Sequence, residues 1–69
     1  VDLLLKAKDN TLPNYIFEFK VSKNKEDLEK DCKEALKQIE KRKYGIELKN
    51  PVEIGMSFFE KEFEILIKE

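Results

Sequence analysis

Glu18 and Lys20 stand two residues apart in Tyr15-Ile16-Phe17-Glu18-Phe19-Lys20-Val21, a segment that is otherwise apolar. Strand side chains repeat every two residues, so this spacing puts the carboxylate and the ammonium on one face. Tyr15, Phe17, Phe19 and Val21 take the other. A carboxylate and an ammonium side by side on a rigid strand can hold a metal ion and a phosphate oxygen. Asp2, near the start of the preceding strand-like segment, can approach the same place. Asp2 and Glu18 would supply hard carboxylate oxygens of the kind that Mg²⁺ or Mn²⁺ takes. The carbonyl of Phe19, between the two charges, can complete the ion's shell. Such an ion polarises a phosphoryl oxygen and lowers the pKa of a bound water. Lys20 would set a point charge beside the attacking water or the charge developing at phosphorus. The chemistry expected of this set is phosphodiester hydrolysis.

A Glu-x-Lys triplet is weak on its own, and Glu47 and Lys49 form a second one. Context separates them. Glu47 and Lys49 lie in a polar stretch, whereas Glu18 and Lys20 interrupt an apolar strand, where a charge loses hydration and needs a partner or a ligand. The structural alternative is an ion pair on a half-exposed sheet.

The elements that must position these residues follow from hydrophobic periodicity. Val1 to Ala7 reads as a buried strand, and Lys8 to Asn14, with Asn10, Pro13 and Asn14, as a turn. The second strand runs from about Tyr15 to Val21, so the first two strands form an antiparallel hairpin. After a break at Ser22 to Lys25, a helix extends to about Lys43. Its apolar stripe is Leu28, Cys32, Ala35, Leu36 and Ile39, with Ser22 or Asn24 as the cap. Gly45 interrupts the helix, and Ile46 to Lys49 add one further turn. Pro51 ends helical structure. Val52 to Phe59 is the third strand, and a turn at Glu60-Lys61 leads to the fourth, Glu62 to Ile67. Cys32, Met56, Phe58 and Phe63 read as core. The order is ββαββ, an α/β domain with a small mixed sheet and one main amphipathic helix. The helix is long enough for a crossover that makes strands two and three parallel neighbours.

Composition narrows the function classes. The chain has 69 residues, enough for one small domain with a thin margin of stability. Fourteen Lys and Arg against fifteen Asp and Glu leave a net charge of −1, so nothing in the overall charge attracts nucleic acid. Binding would need a local basic patch or a metal. The Lys33, Lys37, Lys41, Arg42 and Lys43 run, interleaved with Glu34 and Glu40, reads instead as a solvated helix face. With no histidine, imidazole chemistry and His-ligated zinc are excluded. The single cysteine fits a reducing cytoplasm, and no apolar stretch approaches membrane-spanning length.

Asp2-Leu3-Leu4-Leu5, Ile16-Phe17-Glu18-Phe19-Lys20-Val21, the helix with Gln38-Ile39-Glu40-Lys41-Arg42-Lys43-Tyr44, and Ile54-Gly55-Met56-Ser57-Phe58 occur in this order. The pattern resembles the PD-(D/E)XK nuclease superfamily, whose fold is restriction-endonuclease-like. It is most similar to the branch found C-terminal to AAA-type ATPase-like domains. The resemblance covers nearly the whole chain and implies catalytic roles for Asp2, Glu18 and Lys20. It implies metal binding by Asp2, Glu18 and Phe19, and an auxiliary motif at Gln38 and Tyr44. Read from the helix alone, Gln38 sits on the flank of the apolar stripe as a surface residue.

The family core begins with a helix and a strand that are not seen here, and the segment between Tyr44 and Ile54 is shorter than usual. The expectation is therefore a truncated core, residues 1–69 being one partial domain and the C-terminal fragment of a larger protein, inactive alone. The expected activity is metal-dependent nuclease chemistry with Mg²⁺ or Mn²⁺ as cofactor and nucleic acid as substrate. One alternative is a non-catalytic nuclease-fold module supporting an ATPase-like domain or another partner. Another is an unrelated ββαββ interaction domain with a structural Glu18–Lys20 pair. Self-association through exposed apolar surface is expected of the piece in isolation.

Overall fold

A computed structural model describes residues 2–42 and 50–69. The expectations for Tyr44, Gly45 and Ile46–Lys49 lie outside the described residues. Four strands form one sheet: β1 (Leu3–Leu5), β2 (Asn14–Val21), β3 (Pro51–Phe59) and β4 (Glu62–Lys68), in that spatial order. A 3₁₀ turn at Lys25–Asp27 leads into the helix α1 (Leu28–Lys41). β1 and β2 are antiparallel, β2 and β3 are parallel across the helical connection, and β3 and β4 are antiparallel. This is the mixed α/β sheet with one helix that the periodicity implies.

Local chemistry sets each connection. In the first hairpin, Asp9 Oδ1 accepts from the Thr11 N–H and hydroxyl, both at 2.9 Å, while Leu12 N–H donates to the Asp9 carbonyl at 3.0 Å. The Thr11 N–H, then its hydroxyl, hold the Asp9 carboxyl below its ordinary range. Asn14 Oδ1 accepts from Ala7 N–H at 2.8 Å and ties the hairpin's open side. Neither expected side chain caps the helix. Asn24 makes no capping bond and instead donates to Asp27 Oδ2 at 3.2 Å. Ser22 is buried, with its N–H on the Phe58 carbonyl and its hydroxyl on Asp31 Oδ2, both at 2.7 Å. The strand thus continues into a contact with α1 rather than stopping to cap it.

The helix buries the predicted stripe: Leu28, Cys32, Ala35 and Ile39 are buried and Leu36 is half-buried. It packs across β2, β3 and β4. Beneath it lie Ile16, Gly55 and Ser57. Gly55 permits the close approach, since a Cβ there would sit 2.5 Å from the Cys32 carbonyl oxygen. Ser57, fully buried, donates to the Leu28 carbonyl at 2.5 Å and contacts Cys32 Sγ at 3.2 Å.

β1 is not a buried strand. It is three residues long and exposed, because it lies at the edge of the sheet beyond the helix. Phe63 is likewise not core but 60% exposed, and Met56 and Phe58 are only half-buried. These residues face away from α1. Register places Leu3, Phe17, Ile54 and Ile67 in one row on that side, with parallel rows through Phe19, Met56 and Ile65 and through Val21, Phe58 and Phe63. The rings of Phe17 and Phe19 are 6.1 Å apart and those of Phe19 and Phe58 6.2 Å.

Glu53, on the α1 side of β3, lies across from Lys68, whose ammonium is engaged by Glu40. Its Oε1 is buried without a hydrogen bond among the described residues, and burial pushes the carboxyl above its ordinary value of 4.5. The folded state therefore binds this proton more tightly than the unfolded chain does. Stability from this group is complete at acid pH and declines as pH rises through the raised pKa. Glu53→Gln should accordingly be more stable than the parent at neutral pH. The difference should vanish once the pH falls below the ordinary glutamate value. Urea melts at neutral pH and at pH about 4 check this; an advantage that persists in acid would sink it.

Candidate functional site

β2 presents Ile16, Glu18 and Lys20 to α1, with Ser22 just beyond it on the same side, and Tyr15, Phe17, Phe19 and Val21 to the opposite side. The charged pair shares one face, as the spacing demands. That face is the one the helix covers, so Glu18 is only 7% exposed and Lys20 is half-buried.

Gln38 joins them. With its amide oriented so that both ends are satisfied, the nitrogen donates to Glu18 Oε2 at 2.8 Å and the oxygen accepts from Lys20 Nζ at 2.8 Å. The neutral amide is a spacer. It engages the carboxylate and the ammonium separately and keeps both polar ends of the pair in fixed positions. α1 brings Gln38 there because Ala35, three residues earlier, rests on Gly55, the residue of β3 beside Glu18. A second polar tie, Ser22 to Asp31, holds the same edge of the helix seven residues earlier. Seven residues are close to two helical turns, so Asp31 and Gln38 form one line along α1 facing β2. That repeat, two polar residues bordering the apolar stripe, is the signal that separates Gln38 from an ordinary surface glutamine.

Asp2 immediately precedes β1. Its N–H donates to the Phe17 carbonyl at 3.1 Å and its Oδ2 accepts from the Phe19 N–H at 2.7 Å. One further step of the Leu3–Phe17 register sets Asp2 across from Glu18 on the adjacent antiparallel strand. In a strand a residue's N–H and C=O point to the same side, so the Phe19 carbonyl is turned toward the β1 edge, where Asp2 sits. Among the described residues, no three or more His, Cys, Asp or Glu side chains gather as a metal centre. Asp2 and the Phe19 carbonyl lie at this edge, whereas the Glu18 carboxylate is buried beneath α1 and bonded to Gln38. Asp2 is exposed, so the edge is open to solvent.

Replacing Gln38 with leucine removes both bonds while keeping apolar contact with the sheet. The expected loss is about 1–3 kcal/mol, because a buried carboxylate and a half-buried ammonium each lose a partner. Chemical denaturation measures it; an unchanged midpoint would mean that the bridge contributes nothing.

Chemically, the arrangement offers hard anionic oxygen at a strand edge beside a fixed cation, the elements of a site that binds a divalent ion and a phosphate. No helix among the described residues is long and apolar enough to cross a membrane. Comparison with curated proteins and with solved structures gives no match. A family model for the PD-(D/E)XK nuclease superfamily matches residues 1–67. The match spans the hairpin that carries Asp2, Glu18 and Lys20, the helix that carries Gln38, and nearly all of β4. With almost its whole length covered, and with its mixed sheet and crossover helix, the chain belongs to the PD-(D/E)XK nuclease superfamily.

Proposed function

We propose that this domain is the core of a metal-dependent nuclease that hydrolyses phosphodiesters, with Mg²⁺ or Mn²⁺ as cofactor. The observation that carries the reading is the Gln38 bridge: residues from β2 and α1 that the family pattern marks for function meet in one hydrogen-bonded unit. The donors fit a hard divalent ion in kind. Mg²⁺ is commonly held by one or two carboxylates, with water and substrate phosphate filling the remaining positions. Asp2, Glu18 and the Phe19 carbonyl would hold it, and Asp2's exposure leaves room for the substrate. When bound, the ion supplies Lewis-acid activation of water and of the phosphoryl oxygen.

The chain's own residues do the rest. Lys20, fixed by Gln38, places positive charge where negative charge grows on the phosphoryl oxygens. Because the ammonium is already oriented, little reorganisation is needed as the reaction proceeds. Gln38 holds the Glu18 carboxylate and the Lys20 ammonium in fixed places. The Phe19 N–H orients the Asp2 carboxylate in the same way. We place the domain in the branch that accompanies AAA-type ATPase-like domains, with cytoplasmic nucleic acid as substrate.

The rival reading is a nuclease-fold module that supports an ATPase domain or protein partner without cutting. One observation favours it: the Glu18 carboxylate is buried beneath α1, only 7% exposed, whereas Asp2 is exposed at the sheet edge. Metal titration of the full-length protein, with cleavage of plasmid DNA and single-stranded RNA, separates the two. The nuclease reading expects saturable Mg²⁺ or Mn²⁺ binding that Glu18→Gln weakens, since the variant removes the ligand's charge and keeps its shape. Failure to bind either ion or to cut either substrate establishes the non-catalytic reading.

A further inference from the structure

The Gln38 bridge is delivered to β2 by a helix that is also anchored on β3. Gly55 lets the Cys32 carbonyl approach the sheet, and Ser57 donates to the Leu28 carbonyl. These contacts fix the height of α1 above the sheet. They lie along one line beneath its axis and leave its roll about that axis to other contacts. Gln38 is on the flank, where roll matters most. A helix with its side chains is about 10–12 Å across, so a roll of about 20° displaces a side chain on its rim by about 2 Å. That is enough to part partners 2.8 Å apart, the spacing of Gln38 from Glu18 and from Lys20.

We propose that Ser22 and Asp31 are a positioning pair that holds this roll, so that their bond places Gln38 between Glu18 and Lys20. The Ser22 hydroxyl donates to Asp31 Oδ2 at 2.7 Å, and Ser22 is only 4% exposed. Its N–H is bonded to the Phe58 carbonyl at 2.7 Å, so the donor stands on main chain that β3 already holds. Asp31 and Gln38 are seven residues apart, which turns the helix through about 700°, within about 20° of two full turns. Both therefore lie on one flank. Their spacing along the axis agrees as well. Seven helical residues advance about 10.5 Å, and the three strand steps from Ser22 back to Phe19, midway between Glu18 and Lys20, span about 10 Å. α1 connects two parallel strands and so runs opposite to β2, which matches the two intervals end for end. Asp31 reaches Ser22 where Gln38 reaches the charged pair. Neither Ser22 nor Asp31 meets ion or substrate in the proposed mechanism; they act through Gln38. The inference rests on the nuclease reading for its kinetic consequence alone.

Gln38 is the only glutamine in the chain, so glutamine-selective ¹⁵N labelling gives a single pair of side-chain amide signals to follow by NMR. In Ser22→Ala and in Asp31→Ala these signals should move to the position of a free glutamine amide and exchange with water about tenfold faster or more. Asp31→Asn keeps an acceptor oxygen in the same place and should restore the parent signals. In the full-length protein, both alanine variants should lower kcat for Mg²⁺- or Mn²⁺-dependent cleavage about tenfold with KM nearly unchanged. Neither should lower it further in a Gln38→Leu background, where there is no bridge to place. Gln38 signals that stay at the parent position in both alanine variants overturn the proposal, since the bond then does no more than satisfy a buried hydroxyl. So does a kinetic loss of the same size with and without Gln38. A full-length protein that does not cleave removes the nuclease reading, and the Gln38 signals alone then decide this inference. Should Ser22→Ala unfold, Asp31→Ala, on the half-buried rim of the helix, carries the comparison.

Discussion

Lys20→Ala should lower the rate of Mg²⁺- or Mn²⁺-dependent cleavage by a factor of roughly 10² or more while leaving substrate affinity nearly unchanged. A hundredfold loss corresponds to about 2.7 kcal/mol of transition-state stabilisation, a reasonable amount for one oriented cation in a partly buried site. The asymmetry between rate and affinity is the diagnostic part. A lysine that merely attracts nucleic acid would weaken binding and steepen no barrier, whereas one aimed at developing charge acts only as that charge appears. The fold should survive, since a strand accepts alanine at modest cost and the ammonium's partner is the uncharged Gln38. Lys20→Arg should recover little, because a planar guanidinium with its wider fork does not fit the place of a point charge held by one amide oxygen. Single-turnover cleavage by the full-length protein, with substrate binding measured in parallel, is the assay. Cutting by the alanine variant at the parent rate would remove Lys20 from the active site.

Gly55→Ala should destabilise the domain by about 1–3 kcal/mol, and by more if the helix cannot move. The added methyl would lie 2.5 Å from the Cys32 carbonyl oxygen, 3.1 Å from Leu36 Cγ and 3.2 Å from Ala35 Cβ. The nearest of these is main chain in the middle of α1, so the clash is relieved only by lifting the helix. In a chain this small, each kcal/mol shifts the melting temperature by roughly 4–8 °C. Lifting α1 also draws Gln38 away from Glu18 and Lys20, so weaker metal binding should accompany the lower stability. Thermal and urea melts of Gly55→Ala beside the parent measure the first effect and metal titration the second. A change in stability below about 0.5 kcal/mol would show that the sheet yields locally and that the close approach is incidental.

Much of this was readable before any coordinates, and the exceptions have physical causes. The apolar stripe of α1 was legible because a buried helix face needs a 3.6-residue period, and four of its five members are buried. The alternation of β2 was equally plain. What alternation cannot convey is which of two faces the helix will choose, and the aromatic face looks like the natural core. The choice is made on the neighbouring strand, where Gly55 and Ser57 leave the depth that a helix needs and Met56 and Phe58 do not. That also explains Phe63, whose register partner Phe58 lies on the uncovered side. Leucines suggested burial for β1, but burial there depends on helix placement. That Glu18 and Lys20 share one face followed from spacing, whereas Gln38 was marked by family resemblance and looked peripheral by itself. Its role depends on how closely α1 approaches the sheet, a distance set by a glycine in another strand.

The parity of β2 makes the protein separately editable. Even-numbered positions from Ile16 to Ser22 face α1, and odd-numbered positions from Tyr15 to Val21 face outward. Recoding the odd set with threonine or charged residues should change solubility while Glu18, Lys20 and Gln38 keep their surroundings. Changes in the even set alter the contacts beneath α1 without creating a new exterior. A laboratory wanting a less apolar exterior can therefore begin at Val21, the most exposed of the large apolar side chains among the described residues. One wanting to test the proposed chemistry without touching that exterior can begin one residue earlier, at Lys20.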